Sequence, residues 1–154
     1  MTSASAAKFL ASLGAGLVAG TTNLIAAGAI FGGTPTHGLQ LIASGILGEW
    51  AFGGGTPTAV LGAGLHYGIS IVAAGVYCAL ALRRSWWRER WLTGGTLFGV
   101  IAYIVMDLIV VPLSNAANPD FSPAIIAQEL VAHTLMFGIP IAGIVTALLR
   151  RVRK

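Results

Sequence analysis

The chain has 154 residues, of which 56% are hydrophobic and only 9% are Asp, Glu, Lys or Arg. A soluble domain of this size needs many ionised side chains on its surface, whereas a surface that faces lipid tails needs none. The composition therefore argues against an ordinary soluble domain and predicts an all-α integral membrane protein. The net charge of +4 arises from residues at the ends of apolar segments. We interpret them as orientation signals and predict no nucleic-acid partner.

Four apolar segments are long enough to cross about 30 Å of hydrocarbon as helices. They cover residues 8–31, 57–82, 92–113 and 123–149. The basic start and small residues of the first segment also resemble a secretory signal peptide, so cleavage is an alternative, although the apolar run is longer than is usual for such a peptide. We predict a single membrane domain, residues 1–154, built as a four-transmembrane-helix bundle.

A further apolar segment, residues 35–52, lies between the first two spans and carries a histidine, a glutamine and a glutamate. Its length predicts a short re-entrant or interfacial helix on the outer face. A fifth span with the N-terminus outside is the alternative, and the charges do not distinguish the two. The pairs Thr34-Pro35, Thr56-Pro57 and Ser122-Pro123 predict helix starts, because the hydroxyl can cap and proline suits the first helical position.

The positions of the basic residues predict the orientation of the four spans. The connections 32–56 and 114–122 contain no Lys or Arg. All nine basic residues then fall on the other side, which the positive-inside rule makes cytoplasmic, together with both termini. They are Lys8, Arg83, Arg84, Arg88, Arg90, Arg150, Arg151, Arg153 and Lys154.

Tryptophans alternate with arginines in the connection between the second and third spans. Trp and Tyr favour the boundary between lipid and water, so this connection predicts contact with the bilayer surface. The alternative is specific binding of anionic lipid headgroups. The predicted lipid-interface anchors are Arg83, Arg84, Trp86, Trp87, Arg88 and Trp91.

Every span carries a pair of small residues four positions apart. Such pairs let helix backbones approach closely, and in lipid this packing holds a bundle or an oligomer together. The pattern therefore also predicts a homo-oligomer or a place in a larger membrane complex. The pairs are Gly16 and Gly20, Gly64 and Gly68, Gly95 and Gly99, and Gly138 and Ala142.

Ionisable residues inside the spans are the sharper signal, because polar groups in hydrocarbon are expensive and usually face the bundle interior. At about 1.5 Å per residue, they lie roughly 9–15 Å from the outer ends of their helices. Residues four apart share a helix face, which adds a serine and a tyrosine to the set. The predicted buried polar cluster is His66, Ser70, Tyr103, Asp107, Glu129 and His133.

Three interpretations of this cluster stay open. It is a structural network that fixes helix register, a site that handles protons, ions or small solutes, or a cofactor site. In the last case His66 and His133 are the candidate haem or metal ligands, joined by Glu129 and Asp107 for a divalent metal. The simplest expectation is no cofactor. The sequence has no phosphate loop, nucleophile elbow, dinucleotide fingerprint or zinc-protease motif, so we predict no enzyme activity.

Several stretches carry a family resemblance over roughly residues 60–150. They are Gly64 to Ile71 continuing to Tyr77, the glycine-rich start of the third span with Pro112-Leu113 at its end, and Glu129-x-x-x-His133. This pattern resembles the YagU-like bacterial inner-membrane proteins. The resemblance implies a multi-pass protein of the inner membrane and supplies no biochemical activity. From the small-residue pairs and the absence of catalytic motifs we expect an accessory or scaffold-like component of a membrane assembly, with ion handling and haem or metal binding as the alternatives.

Overall fold

The computed structural model describes residues 4–116 and 120–152, and every regular element in those two ranges is helical. Four of the helices are long and apolar enough to cross a membrane. This confirms the predicted all-α bundle with four span-length helices. The five principal helices are α1 (Ala4–Phe31), α2 (Pro35–Leu47), α3 (Gly55–Arg83), α4 (Trp91–Leu113) and α5 (Pro123–Arg151). Arg153 and Lys154 lie outside the described residues.

The short helix α2 forms within the segment that separates the first two spans. Its 13 residues extend only about 20 Å, too short to cross a bilayer upright. The Thr34 hydroxyl accepts a hydrogen bond from the His37 N–H at 3.2 Å, and Pro35 opens the helix, as the sequence predicts. A separate turn, Trp50–Gly53, follows, so the predicted helix over 35–52 is divided in two.

Helix α2 packs against α3 at a glycine. A Cβ added to Gly62 would lie 1.8 Å from the Leu39 carbonyl oxygen, so no larger residue fits there without moving a backbone. The amide of Gln40 adds polar links, since it donates to the Gly55 carbonyl at 3.2 Å and to the Thr58 hydroxyl at 3.3 Å. The two helices are therefore joined by backbone contact and hydrogen bonds.

The other two predicted helix starts differ from the expected caps. Helix α3 begins at Gly55, one residue before Thr56, and has no side-chain cap because Gly54 precedes it. Ser122 does occupy the position before α5, but its hydroxyl makes no capping bond. Its own N–H instead donates to Asp120 Oδ1 at 2.8 Å. The prediction that Thr56 caps this helix was wrong, because Gly55, with φ of +59°, already begins the helix.

The two ends of the bundle are tied together by different contacts. At one end Arg150 donates to the Arg88 carbonyl at 3.2 Å, and we call this the basic end. At the other, the Asn115 side chain donates to the Ile46 carbonyl at 3.1 Å and its N–H donates to the Gly45 carbonyl at 3.0 Å. We call this the loop end. The chain therefore crosses between the same two ends four times.

The packed core lies towards the basic end. Its largest members are Tyr77, Phe98, Phe137, Ile141 and Leu149. Tyr77 is fully buried, and its hydroxyl donates to the Trp87 carbonyl at 2.9 Å. Since lipid tails are as apolar as these side chains, the core stabilises the bundle by close packing rather than by exclusion from water.

The predicted lipid-interface anchors occupy two kinds of position. Trp86 is exposed, as are Arg83 and Arg84. Trp87 instead lies edge-on to Tyr77 at 5.6 Å, and the ring of Trp91 borders Gly143. The Arg88 guanidinium donates to the Ala81 carbonyl. Three of the six therefore also pack against or bond to the bundle.

Candidate functional site

The site lies between α4 and α5, whose backbones touch. A Cβ added to Gly138 would lie 2.2 Å from the Gly95 oxygen and 2.5 Å from the Gly99 nitrogen. A Cβ added to Gly99 would lie 2.5 Å from the backbone carbonyl oxygen of His133 and 2.6 Å from the Thr134 Cα. Only glycine permits this approach, because any side chain would meet backbone atoms that cannot move aside cheaply.

Both helices widen into a π-helical turn beside the site. In α4 the turn covers Met106–Val110, and in α5 it covers His133–Gly138. Each turn adds a residue to the local helical repeat and redirects the side chains that follow or precede it. Asp107 lies inside the first turn and His133 opens the second. The two site residues therefore lie on irregular, not ideal, helical backbone.

Three ionisable side chains converge at these turns. His133 Nε2 lies 3.6 Å from Asp107 Oδ2, and His133 Nδ1 lies 3.3 Å from Glu129 Oε2. One potential metal-ligand atom from each residue lies within 4.8 Å of the others. The Glu129 side chain is 7% exposed and that of Asp107 is 25% exposed. The group is thus buried except on the Asp107 side.

Hydrogen bonding fixes the orientation of the imidazole. His133 Nδ1 lies 3.0 Å from the Glu129 carbonyl oxygen. A carbonyl can only accept, so Nδ1 carries the proton of this bond. Nε2 is left facing Asp107 at a distance longer than an ordinary hydrogen bond of about 2.7–3.2 Å.

Two carboxylate oxygens in this group lack hydrogen bonds. Asp107 Oδ2 and Glu129 Oε1 are buried, and no donor in the described part of the chain bonds to either. Buried polar atoms are almost always satisfied, and an unsatisfied carboxylate is especially costly in a low-dielectric interior. The arrangement therefore holds two buried acceptor oxygens, one from each of the carboxylates that flank the His133 imidazole.

Aromatic rings form one wall of the site. The ring of Tyr103 lies 5.8 Å from that of His133, and the ring of Phe137 lies 6.1 Å from it. Tyr103 is buried one helical turn from Asp107, as the sequence spacing predicts. Both rings pack edge-on against the imidazole, and Phe137 also belongs to the packed core.

Two of the six predicted cluster residues make their contacts elsewhere. His66 Nε2 donates to the Gly20 carbonyl of α1 at 2.8 Å, for the same reason that a carbonyl can only accept. The Ser70 hydroxyl donates to the His66 carbonyl at 2.8 Å. His66 would have to give up its bond to Gly20 before this nitrogen could ligate iron. The structure thus joins Tyr103, Asp107, Glu129 and His133 and gives His66 and Ser70 a separate place between α1 and α3.

Sequence reasoning missed two polar or aromatic positions. Asn23 is 7% exposed, and its amide nitrogen finds no partner within the described ranges. It continues the buried stripe of Ala15 and Ala19 on α1, and an asparagine at that spacing was the available signal. Trp50 is 86% exposed. A tryptophan beside a glycine-rich connection could have been recognised as an interfacial residue.

Comparisons of this chain with known protein families, with curated proteins and with solved structures gave no match. The resemblance to YagU-like proteins therefore stays a prediction.

Proposed function

We propose that this chain is a small multi-pass membrane protein that carries or relays a cation through the buried cluster of Asp107, Glu129 and His133. The observation that carries the proposal is the pair of buried carboxylate oxygens that receive no hydrogen bond. A network that serves only to fix helix register is expected to satisfy its own polar groups. Here two acceptors are held ready for a positively charged group.

Charge gives the reason for choosing a cation. Two carboxylates in a bilayer are expensive unless positive charge compensates them. The nearest basic side chain in the described part of the chain is His133, which lies 3.6 Å from the Asp107 carboxylate and 3.3 Å from the Glu129 carboxylate. The Lys and Arg residues of the sequence belong to one side of the four-span arrangement, the basic end. A bound cation supplies the compensation that the surrounding protein lacks.

Two features favour movement of the cation over a sealed structural site. The π-helical turns at Met106–Val110 and His133–Gly138 are of the kind that recurs at functional sites in helices. The 25% exposure of the Asp107 side chain opens the group on one side. A cation can therefore reach Asp107 first and Glu129, which is deeper, second.

The proposed location is a bacterial inner membrane, with the basic end in the cytoplasm. The positive-inside rule supports this orientation, because all nine basic residues of the sequence belong to one side of the four-span arrangement. We propose that α2 lies at the outer interface. Its length and the exposed Trp50 in the turn that follows support that position.

Reconstitution in liposomes tests the proposed transport. We expect cation-dependent flux, reported by dyes for protons, for monovalent cations and for divalent cations, to exceed that of empty liposomes. Glu129→Gln and Asp107→Asn should reduce the flux at least about 10-fold, because each removes a charge from the cluster. Asp120→Asn is the matched control on an exposed acid and should leave it unchanged. Equal fluxes from all four proteins would contradict the proposal.

A scaffold role is the second candidate, and one surface favours it. Among the described residues, no atom lies within 4 Å of a Cβ added to Gly64 or Gly68 on α3, whereas Gly95, Gly99 and Gly138 are covered by the facing helix. The exposed side chains of Val60 and Val72 flank this glycine stripe. The stripe can therefore receive a helix from another subunit. Blue-native electrophoresis tests this role, and a strict monomer with no co-purifying subunit would count against it.

Haem binding is the third possibility carried from the sequence, with His66 and His133 as ligands. An absorption spectrum of the purified protein, with and without added haem, tests it directly. We expect no Soret band, because Nε2 of His66 is engaged by Gly20. A Soret band that is lost in His66→Ala would revive the haem interpretation.

A further inference from the structure

We infer that the cation is a divalent first-row transition metal, bound by His133 Nε2 and by the carboxylates of Asp107 and Glu129. This inference deepens the proposed function, on which it rests, by naming the ligand class and the donor atoms. His66, which the sequence offered as a partner of His133, is not part of the site.

The spacing of the donors suits one shared ion. Two ligands at about 2.0–2.1 Å from a tetrahedral metal lie about 3.3 Å apart. His133 Nε2 and Asp107 Oδ2 are 3.6 Å apart, too far for a strong hydrogen bond and close to that separation. One donor atom from each of the three residues lies within 4.8 Å of the others. The Glu129 carboxylate, whose Oε2 lies 3.3 Å from Nδ1, has to rotate towards Nε2 to share the ion.

The unpartnered oxygen of Glu129 distinguishes this group from an ordinary buried ion pair. The Glu129 side chain is 93% buried, since 7% of it is exposed, and its Oε1 has no donor in the described part of the chain. An acid that only paired with His133 would have no need to bury its second oxygen. The oxygen is therefore available as a metal ligand.

The hydrogen bond on the far side of the imidazole matches a metal-binding histidine. Such residues usually donate their second N–H to a carbonyl or a carboxylate, which fixes the ring and leaves the other nitrogen free for the metal. His133 Nδ1 makes this bond to the Glu129 carbonyl at 3.0 Å. Glu129 thus orients the histidine through its backbone and offers its side chain to the same ion.

Charge and donor type select the class of metal. A neutral imidazole and two carboxylates carry a charge of −2, which a divalent ion neutralises and a monovalent ion does not. Imidazole nitrogen favours zinc, iron, copper and nickel over magnesium or calcium, and carboxylates admit manganese as well. The three donors leave at least one coordination position for water or for a ligand that accepts the ion.

Metal binding by the purified, tag-free full chain in detergent tests the inference. The probes are Zn²⁺, titrated against a fluorescent chelator, and Co²⁺, whose visible absorption reports the nitrogen and oxygen ligands. We expect one Zn²⁺ per chain. Loss of an outer-shell partner typically weakens metal binding about 10–100-fold, so removal of a direct ligand in Glu129→Gln, Asp107→Asn or His133→Gln should weaken it at least about 100-fold.

The chain offers a matched control for each substitution. Glu49→Gln, Asp120→Asn and His37→Gln change exposed residues of the same types and should bind like the parent. His66→Gln should also bind Zn²⁺ normally, which separates this site from one that includes His66. Size-exclusion chromatography and circular dichroism verify folding. Asp107→Asn provides the test if Glu129→Gln misfolds, because the Asp107 side chain is partly exposed and tolerates change better.

Two results would overturn the inference. One is a parent protein that binds Zn²⁺ no better than Glu129→Gln and Asp107→Asn. The other is binding that requires His66 or the exposed control residues. Failure of the proposed function gives a different result, in which Zn²⁺ binds as described but no flux occurs in liposomes. Conversely, flux of protons or monovalent ions that depends on Glu129, without Zn²⁺ binding, would retain the function and reject the metal.

Discussion

The bundle contains two seams that begin from the same sequence signals and end differently. The α1–α3 seam and the α4–α5 seam each pair glycines with a histidine from the second helix. At the first, His66 donates to the Gly20 carbonyl at 2.8 Å, so the imidazole N–H and the carbonyl oxygen are hydrogen-bonded to each other. At the second, His133 faces two carboxylates, and one buried oxygen of each carboxylate has no hydrogen-bond partner among the described residues. A histidine beside glycines therefore gives a completed structural contact at one seam, whereas at the other the added acids, Asp107 and Glu129, make an open site.

Both seams include backbone contact, since a Cβ added to Gly16 would lie 2.5 Å from the Ile71 Cα, but the surroundings of Gly20 and Gly138 differ. At Gly20 an added Cβ would meet the ends of side chains, Ser70 Oγ at 2.9 Å and Tyr67 Cδ1 at 3.1 Å. At Gly138 it would meet two backbone atoms. Side chains can rotate away, whereas a helix backbone must shift as a whole. Gly138 is consequently less tolerant of a side chain than Gly20, and the backbone contact around it suits a site that must hold three donors in place.

The largest effect is expected from Gly138→Ala, which disrupts the backbone contact of the α4–α5 seam. We expect the free energy of unfolding to fall by about 3 kcal/mol, because the new Cβ overlaps the Gly95 and Gly99 backbones. Titration with SDS in mixed micelles measures the change. Gly64→Ala is the control, since its Cβ meets nothing within 4 Å. Equal free energies of unfolding for Gly138→Ala and Gly64→Ala would contradict backbone contact between α4 and α5 at Gly138.

Glu129→Gln tests the difference between the seams, because it removes one of the two carboxylates from the α4–α5 seam. Without metal, the variant should be more stable than the parent by about 1–2 kcal/mol, because a buried carboxylate with an unsatisfied oxygen is replaced by a neutral amide. With Zn²⁺ at about 100 times its dissociation constant, the parent should gain about 2.7 kcal/mol and the variant nothing. Thermal unfolding with and without Zn²⁺ measures both, and a parallel gain in the two proteins would contradict the assignment.

Gly20→Ala probes the α1–α3 seam at a position surrounded by side chains and should have a smaller effect. We expect a loss of about 1 kcal/mol, since Ser70 and Tyr67 can adjust around the new methyl group. The same SDS titration reports it beside Gly138→Ala. A loss as large as that of Gly138→Ala would show that the α1–α3 seam is equally intolerant.

His66→Ala is expected to change least. Hydrogen bonds between membrane helices contribute about 0.6 kcal/mol on average, so loss of the bond to Gly20 should lower stability by roughly that amount. The variant should keep its Zn²⁺ binding, because its contacts lie at the other seam. Loss of metal binding here would place His66 within the site after all.

Part of this architecture follows from the sequence alone. Apolar length predicts the four span-length helices, because a bilayer admits backbone only when its polar groups bond internally. Thr34-Pro35 predicts the start of α2. Within one helix, Glu129 and His133 share a face because the helical repeat fixes residues four apart. These features depend on neighbours in the chain, so local spacing suffices to find them.

The sequence could not tell which glycine pairs face inward. Gly95 and Gly99 are covered by α5, whereas Gly64 and Gly68 have open space around them, although all four have the same spacing. Similar depth also grouped His66 with Asp107, Glu129 and His133, while the structure separates it. Depth limits which residues can meet, but the rotation of each helix decides which ones do.

Only the tertiary structure decided how the site is assembled. Contact between Gly95, Gly99 and Gly138 sets the register of α4 against α5, and the π-helical turns redirect Asp107 and His133 towards each other. The sequence by itself determined that an acid and a histidine would share a face of α5 in an apolar bundle. It did not determine their partner, because contacts across a seam depend on backbone approach and local helix widening, which spacing along one helix does not encode.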